Sequence, residues 1–137
     1  MVVDREVVQK RLLKLEQTLR KLQKLARTSW EEYTQNEILQ DSAERNLHIA
    51  AQTCIDIGSH IIAERGYRPP YSYADIFTVL HEEGLIPEDL AGTMKKIAGF
   101  RNILVHDYLD VDPKIVYTCL QRLEDFQRFA EHVLNWL

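Results

Sequence analysis

The chain has 137 residues, of which 45% are hydrophobic and 28% charged, and its formal net charge is −4. These values exclude a disordered or fibrous chain and are typical of one globular domain, so we predict a single domain over residues 1–137. The net charge argues against a protein that coats nucleic acid through a general positive field. The charges are uneven, however: residues 10–27 carry seven basic side chains and one acidic one, and the remainder carries 10 basic and 20 acidic ones.

The sequence contains no candidate for a membrane span, because the longest run without Asp, Glu, Lys or Arg is Asn46 to Ile55 and a span needs about 20 apolar residues. Charged residues at Asp4–Glu6 argue against a secretory signal. The only two cysteines, Cys54 and Cys119, do not require a disulfide framework. We therefore predict a cytoplasmic protein in which both cysteines are buried, unreactive thiols.

Apolar residues at three- and four-residue spacing predict helices almost throughout the chain. The predicted helical segments are 8–26, a short turn from Trp30, 36–65, 72–84, 87–108 and 112–137. No strand is predicted. The fold class is therefore predicted to be all-α, an antiparallel four-helix bundle with one or two extra short helices.

Several helix boundaries have local signals. Ser72 with Asp75 three residues later resembles a capping box. Asp112 followed by Pro113 is typical of an N-cap and first helical position. Gly58 lies within the apolar stripe of the 36–65 helix, where it disfavours the helix by about 1 kcal/mol relative to Ala. We expect a close helix crossing at Gly58, because the missing side chain lets two backbones approach.

The segment RNILVHDY, residues 101–108, interrupts the apolar stripe of the 87–108 helix. Arg101 occupies a position that the periodicity reserves for an apolar residue, and Tyr108 follows two turns later on nearly the same face of an ideal helix. Asn102 and His106 form an i, i+4 pair. Arg101 and His106 lie about 140° apart around the same ideal helix. Both can therefore reach one ligand only from the rim of a cleft or across a dimer interface.

These residue types suit RNA cleavage without a metal. The reaction needs a base and an acid for proton transfer, which histidine can supply, and a cation for the charge on the phosphate oxygens, which arginine can supply. Two copies related by a two-fold axis would bring two His106 and two Arg101 side chains to one cleft. The alternative from spacing alone is that Arg101 and His106 only complement the helix dipole or lie at the surface and that Tyr108 only packs in the core.

The same segment resembles the signature of the HEPN superfamily, in the form found in HepT toxins. The matching residues are Arg101, four intervening residues, His106, and Tyr108 two positions later. The segment Glu44–Ile62 is also similar to the second long helix of that family. Together with the helix order, the resemblance covers most of the chain.

The resemblance implies a HEPN-type helical bundle, a homodimer, and a metal-independent endoribonuclease that acts as a toxin without a cofactor. It implies that Arg101 and His106 are catalytic, that Asn102 supports them, and that Tyr108 receives AMP from a partner MNT-type nucleotidyltransferase antitoxin, which silences the RNase. The alternative is a non-catalytic helical binding or regulatory subunit of a nucleotidyltransferase complex. Asp107, Asp110 and Asp112 add negative charge near this segment, which repels phosphate; the alternatives are that they contact the partner or that they cap helices, and Asp112 is better explained as a helix cap.

A further polar cluster lies on the 36–65 helix. Asp56, His60 and Glu64 share one helical face and are interpreted as an exposed or interface ion-pair ladder, with a supporting role near the HEPN cleft as the alternative. The isolated histidines are predicted to be surface or packing residues: His48, His81 and His132.

Two basic or aromatic segments remain. The aromatic and basic loop is expected to brace the turn at Pro69-Pro70, with stacking on RNA bases as the alternative; its members are Tyr67, Arg68, Tyr71 and Tyr73. The basic face of residues 10–27 is interpreted as solvated, with contact to RNA phosphates or, less favoured, to a membrane surface as alternatives.

Overall fold

A computed structural model of the chain describes residues 4–137, with the backbone but not the side chain of Tyr108. In that part of the chain there are seven α-helices, one 3₁₀ turn and no strand, which confirms the predicted all-α class. The helices are α1 (Arg5–Ala26), α2 (Trp30–Gln35), α3 (Glu37–Arg65), α4 (Tyr73–Glu82), α5 (Glu88–His106), α6 (Pro113–Leu120) and α7 (Glu124–Trp136), and the 3₁₀ turn is Tyr108–Asp110. No helix among these residues combines the length and hydropathy needed to cross a bilayer.

The long helix α3 is the centre of the bundle. It packs against α1 and α2 and also against α4, α5, α6 and α7. Its apolar side chains therefore form the largest share of the core, and the most buried of them include Leu47, Ile55, Ile57 and Ile61. The basic helix α1 packs against α3 and α6, whereas α5 packs against α3, α4 and α7. Polar residues of α3 that face α4 and α5 are consequently placed beside the RNILVHDY segment.

The predicted helix caps are confirmed. The Oγ of Ser72 accepts a hydrogen bond from the backbone N–H of Asp75 at 3.1 Å, and Oδ1 of Asp112 accepts one from the N–H of Lys114 at 2.9 Å. These bonds satisfy donors that the first turn of a helix leaves unpaired. The caps fix where α4 and α6 begin.

The prediction of one continuous helix over 112–137 was wrong, because the chain breaks between α6 and α7. Backbone N–H groups of Gln121 and Arg122 bond three residues back, to Thr118 and Cys119, which closes α6 with a tight turn. The Gln121 side chain then donates a hydrogen bond to the carbonyl of Ala26 at the end of α1, at 3.0 Å. The apolar pattern runs through the break, so periodicity could not reveal it.

The prediction that Tyr108 continues the stripe of α5 was also wrong. Helix α5 ends at His106, and Asp107 leaves helical geometry with φ −114°. The N–H of Asp110 then bonds to the carbonyl of Asp107 at 2.9 Å, which forms the 3₁₀ turn. Short acidic side chains favour such turns over helix interiors. The side chain of Tyr108 lies outside the described residues.

The two cysteines differ in burial. Cys54 is fully buried and burial raises the pKa of its thiol, as predicted for an inert core thiol. Cys119 is only half-buried, and burial raises the pKa of its thiol as well. Both are free.

The close helix crossing predicted at Gly58 is confirmed. A Cβ atom at this position would lie 2.6 Å from Cγ2 of Ile76 and 3.3 Å from Cδ1 of Leu80, both on α4. Ile76 is itself buried and β-branched, so its side chain has little freedom to move away. Gly58 therefore sets the distance between α3 and α4.

We expect Gly58→Ala to lower the free energy of unfolding by about 1–3 kcal/mol, the usual cost of overpacking a core. Gly92→Ala is the matched control, because Gly92 is an exposed helical glycine with open space around its Cβ position. The free energy of unfolding of Gly92→Ala should rise by about 0.5–1 kcal/mol, because Ala has a higher helix propensity than Gly. Urea denaturation of the three proteins measures both changes, and equal effects at the two positions would contradict the close crossing.

Candidate active site

Arg101 bonds to two neutral hydrogen-bond acceptors, one on α3 and one on its own helix α5. Its Nε donates a hydrogen bond to Oε1 of Gln52 at 2.8 Å, and its Nη1 donates one to Oδ1 of Asn102 at 3.1 Å. The side chain is half-buried. Among the described residues no carboxylate lies within ion-pair distance of it. The Arg101 guanidinium is thus oriented without being neutralised.

Gln52 is itself fixed by a second hydrogen bond. Its Nε2 donates to Oδ1 of Asp56, one helical turn further along α3, at 2.8 Å. Asp56 therefore belongs to the network around Arg101. The ion-pair ladder interpreted for Asp56, His60 and Glu64 is present only in part: His60 Nε2 lies 3.9 Å from Glu64 Oε1, whereas Asp56 bonds to Gln52.

The ring of Tyr73 covers one face of the Arg101 guanidinium. The distance from Cζ of Arg101 to the ring centroid is 5.1 Å, within the range of a cation–π contact. Tyr73 is the first residue of α4. The expectation that Tyr73 only braces the proline turn was therefore incomplete, because its ring also contacts the arginine of α5.

Arg68 has the opposite environment from Arg101. Its Nη1 lies 2.8 Å from Oδ2 of Asp75 and its Nε lies 2.9 Å from Oε2 of Glu82. Hydrogen bonds from the guanidinium lower the pKa of Asp75 to about 2 and also lower the pKa of Glu82. Asp75 additionally accepts a bond from the N–H of Tyr71. This cluster fixes the loop before α4 and hence the position of Tyr73.

His106 is exposed at the last position of α5. Helix geometry places it about 140° around and about 7.5 Å along from Arg101, and no side-chain hydrogen bond between the two is present among the described residues. One copy of the chain therefore does not bring Arg101 and His106 together in a closed pocket. Ile103 and Leu109, each three residues from His106 in the sequence, are also exposed, with exposed fractions of 41% and 83%.

His48 lies on α3, one turn before Gln52. Burial lowers the pKa of its imidazole, and the positive charges of Arg101 and Arg45 lower it further. His48 was predicted to be an isolated surface or packing residue. It is not isolated, because the charge of Arg101 affects its imidazole.

The acidic residues that follow α5 are exposed. Asp112 caps α6, as predicted. Asp107 and Asp110 form the 3₁₀ turn through their backbones. Only the Asp112 carboxylate therefore has a structural role, as a helix cap. None of the three carboxylates forms an ion pair with Arg101.

The sequence predictions did not include Gln52 and Tyr73 among the site residues. The spacing of Gln52 and Asp56 by one helical turn was a visible signal, since such pairs bond across helix faces. Nothing local indicated that Arg101, 49 residues later in the chain, would complete the pair.

We expect Arg68→Ala to lower the melting temperature near pH 7. The pKa values of Asp75 and Glu82 are depressed in the folded state, so their ion pairs contribute stability above the ordinary pKa, about 4, and lose it as the pH falls. The gap between variant and wild type should close between about pH 4 and about pH 2. Thermal unfolding followed by circular dichroism at each pH measures this difference in melting temperature.

Arg128→Ala is the matched control, because Arg128 forms a single exposed pair with Asp89. Such pairs contribute little, so its melting temperature should stay near that of wild type. A gap for Arg68→Ala that is the same at every pH would contradict the charge argument and indicate lost packing of the arginine stem.

Comparison with known proteins identifies the family of the chain. The sequence profile of the ribonuclease HepT-like family matches residues 15–133. The chain is 40% identical over 101 residues to the mRNA nuclease HepT of Shewanella oneidensis, across 73% of this chain and 76% of that protein. It is 26% identical to the tRNA nuclease HepT of Aphanizomenon flos-aquae, across 98% of this chain and 92% of that protein.

The fold agrees as well. The structure superposes with a TM-score of 0.87 and 32% identity on a tri-AMPylated Shewanella oneidensis HEPN toxin solved in complex with an MNT antitoxin, covering 94% of this chain and 97% of that one. The family match spans most of the chain. It confirms the resemblance to HepT proteins that the RNILVHDY segment indicated. The chain belongs to the ribonuclease HepT-like family.

Proposed function

We propose that the chain is the toxin of a HEPN/MNT toxin–antitoxin pair, a cytoplasmic single-domain protein over residues 1–137 that cleaves RNA without a metal. The observation that carries this proposal is the half-exposed Arg101, which bonds to the amide oxygens of Gln52 on α3 and of its neighbour Asn102, with no carboxylate of the described residues against it. Such an arginine retains its charge for a phosphodiester. The names of the relatives, an mRNA nuclease and a tRNA nuclease, support RNA as the substrate class.

In the proposed mechanism Arg101 binds the phosphate oxygens and stabilises the charge that develops on them. His106 transfers protons, as base to the 2′-hydroxyl or as acid to the leaving oxygen. Asn102 supports Arg101 through its hydrogen bond to Nη1.

We infer that the active form is a homodimer. Acid and base catalysis require two proton-transfer groups, and one chain places a single exposed histidine at the end of α5. A two-fold axis near His106 would supply the second histidine and would also cover the exposed side chains of Ile103 and Leu109. Apolar patches of this kind are typical of interfaces.

The regulatory part of the proposal concerns Tyr108 and an MNT-type nucleotidyltransferase. Addition of AMP to the Tyr108 hydroxyl would place bulk and negative charge two residues from His106, where both would exclude RNA. The Shewanella oneidensis toxin, which is tri-AMPylated in its complex with an MNT antitoxin, supports this form of control.

The second candidate is a non-catalytic regulatory subunit of a nucleotidyltransferase complex. It is favoured by the separation of Arg101 and His106 within one chain. A purified protein that binds and alters the transferase but leaves RNA intact would support it over the RNase.

We expect His106→Ala and Arg101→Ala each to reduce RNA cleavage by at least about 100-fold, the usual contribution of a general acid or base and of a charge-stabilising group. The melting temperature of His106→Ala should stay close to that of wild type, since His106 is exposed. His132→Ala, on α7, is the matched control and should cleave RNA like wild type. Gel analysis of a labelled single-stranded RNA measures all four proteins, and full activity of His106→Ala would contradict its assignment.

We also expect the intact mass of the protein to rise in steps of one AMP after incubation with ATP, Mg²⁺ and the partner nucleotidyltransferase. RNA cleavage should fall in parallel. Tyr108→Phe should show no such mass gain while still cleaving RNA. A gain that persists in Tyr108→Phe would place the modified group elsewhere, and an unchanged wild-type mass would contradict the switch.

A further inference from the structure

We propose that Gln52, Asp56 and Tyr73 are positioning residues that orient Arg101 and keep its positive charge available for the substrate phosphate. This inference rests on the proposed RNase function. It concerns residues of α3 and α4 that lie far from the RNILVHDY segment in the sequence, and it follows from three features of the contacts around the guanidinium.

The first feature is the charge of the acceptors. Arg101 bonds to the amide oxygens of Gln52 and Asn102, which orient it but carry no net charge. Arg68 bonds to the carboxylates of Asp75 and Glu82, which neutralise it. Within the described residues, Arg68 is thus a structural ion pair, whereas Arg101 meets no carboxylate. Of these two arginines, only Arg101 suits a substrate with its own negative charge.

The second feature is the direction of the hydrogen bonds. An ionised Asp56 can only accept hydrogen bonds and an arginine can only donate them. The Gln52 amide lies between the two, so its NH₂ group must face Asp56 and its oxygen must face Arg101. Asp56 therefore fixes the amide orientation and places its own negative charge one side chain away from the guanidinium.

The third feature is the coverage of the guanidinium. The Tyr73 ring covers one face at 5.1 Å, and two of the five N–H donors of arginine are used by Gln52 and Asn102. Three donors, all on the two terminal nitrogens, have no partner among the described side chains and are available to the substrate. Adjacent N–H groups of this kind match two oxygens of one phosphate.

The test uses two substitutions at Gln52 in the full-length protein. Gln52→Glu keeps the shape but places a carboxylate against Arg101, and Gln52→Met removes the hydrogen bond without adding charge. At about pH 8, kcat/KM for a labelled single-stranded RNA of mixed sequence should fall at least about tenfold in Gln52→Glu and less in Gln52→Met. Gln127→Glu, an exposed change of the same net charge on α7, should stay within about twofold of wild type.

The charge introduced at position 52 separates positioning from a merely structural role. The Arg101 guanidinium should lower the pKa of the carboxyl group introduced by Gln52→Glu, as Arg68 lowers the pKa of Asp75, so this carboxylate should stay ionised from about pH 8 to about pH 5. The loss of activity in Gln52→Glu relative to wild type should therefore persist across that range. A merely structural role would cost Gln52→Met, which makes neither hydrogen bond, at least as much activity as Gln52→Glu. A Gln52→Glu protein at least as active as Gln52→Met at about pH 8, or one that regains wild-type activity by about pH 6, would overturn the inference.

Tyr73 and Asp56 provide a second measurement that does not depend on Gln52 variants folding. Tyr73 is partly exposed at the start of α4, so its substitution should leave the core intact. Tyr73→Phe keeps the ring face and should retain activity, whereas Tyr73→Leu should lose about two- to fivefold in kcat/KM, the size of an exposed cation–π contact. Asp56→Asn, which can still accept from Gln52, should lose less activity than Asp56→Leu. Equal activities within either pair would overturn the corresponding role.

Arg101→Ala is measured in the same assay to separate this inference from the proposed function. A wild-type protein that does not cleave RNA, or an Arg101→Ala variant as active as wild type, would overturn both. An inactive Arg101→Ala variant together with a fully active Gln52→Glu variant would overturn the positioning role alone and leave the proposed function intact.

Discussion

The hydrogen bond between Arg101 and Gln52 is the constraint on which the site depends. It joins α5 to the central helix α3 across 49 residues of sequence at 2.8 Å. Its geometry requires α3 and α5 to be correctly packed, and α4 must lie close enough to place Tyr73 over the guanidinium. The close approach at Gly58 sets that spacing. The packing of the bundle thus determines the orientation of one cation.

Arg68 and Arg101 differ in whether their positive charge is paired with carboxylates. Arg68 and its two carboxylates stabilise the start of α4, where the positive charge of the arginine is fully paired. Arg101 meets amide oxygens and an aromatic face, where its charge is retained. The low net charge of the chain is consequently compatible with an RNA substrate, because recognition of a phosphate depends on the local environment of one side chain and not on the average field.

The sequence predicted the features that depend on neighbours in the chain. The caps at Ser72 and Asp112 were correct because a cap requires only a few adjacent residues. The break at Gln121 was missed, since its side chain bonds to a carbonyl of α1. Gln52 was missed as a site residue for the same reason, because its acceptor role exists only when α5 is docked. The RNILVHDY segment located the candidate site in the sequence. The tertiary contacts showed which side chains orient Arg101.

The most direct test of this account is the Arg101 Nε–H signal in a ¹H–¹⁵N NMR spectrum, assigned by its loss in Arg101→Lys. The Nε–H proton should exchange slowly with water in wild type and rapidly in Gln52→Met. Addition of an RNA oligonucleotide with blocked 2′-hydroxyls should shift the signals of the terminal nitrogens and leave Nε–H protected. An Nε–H that exchanges as rapidly as that of a surface arginine, or that loses protection when RNA binds, would contradict it.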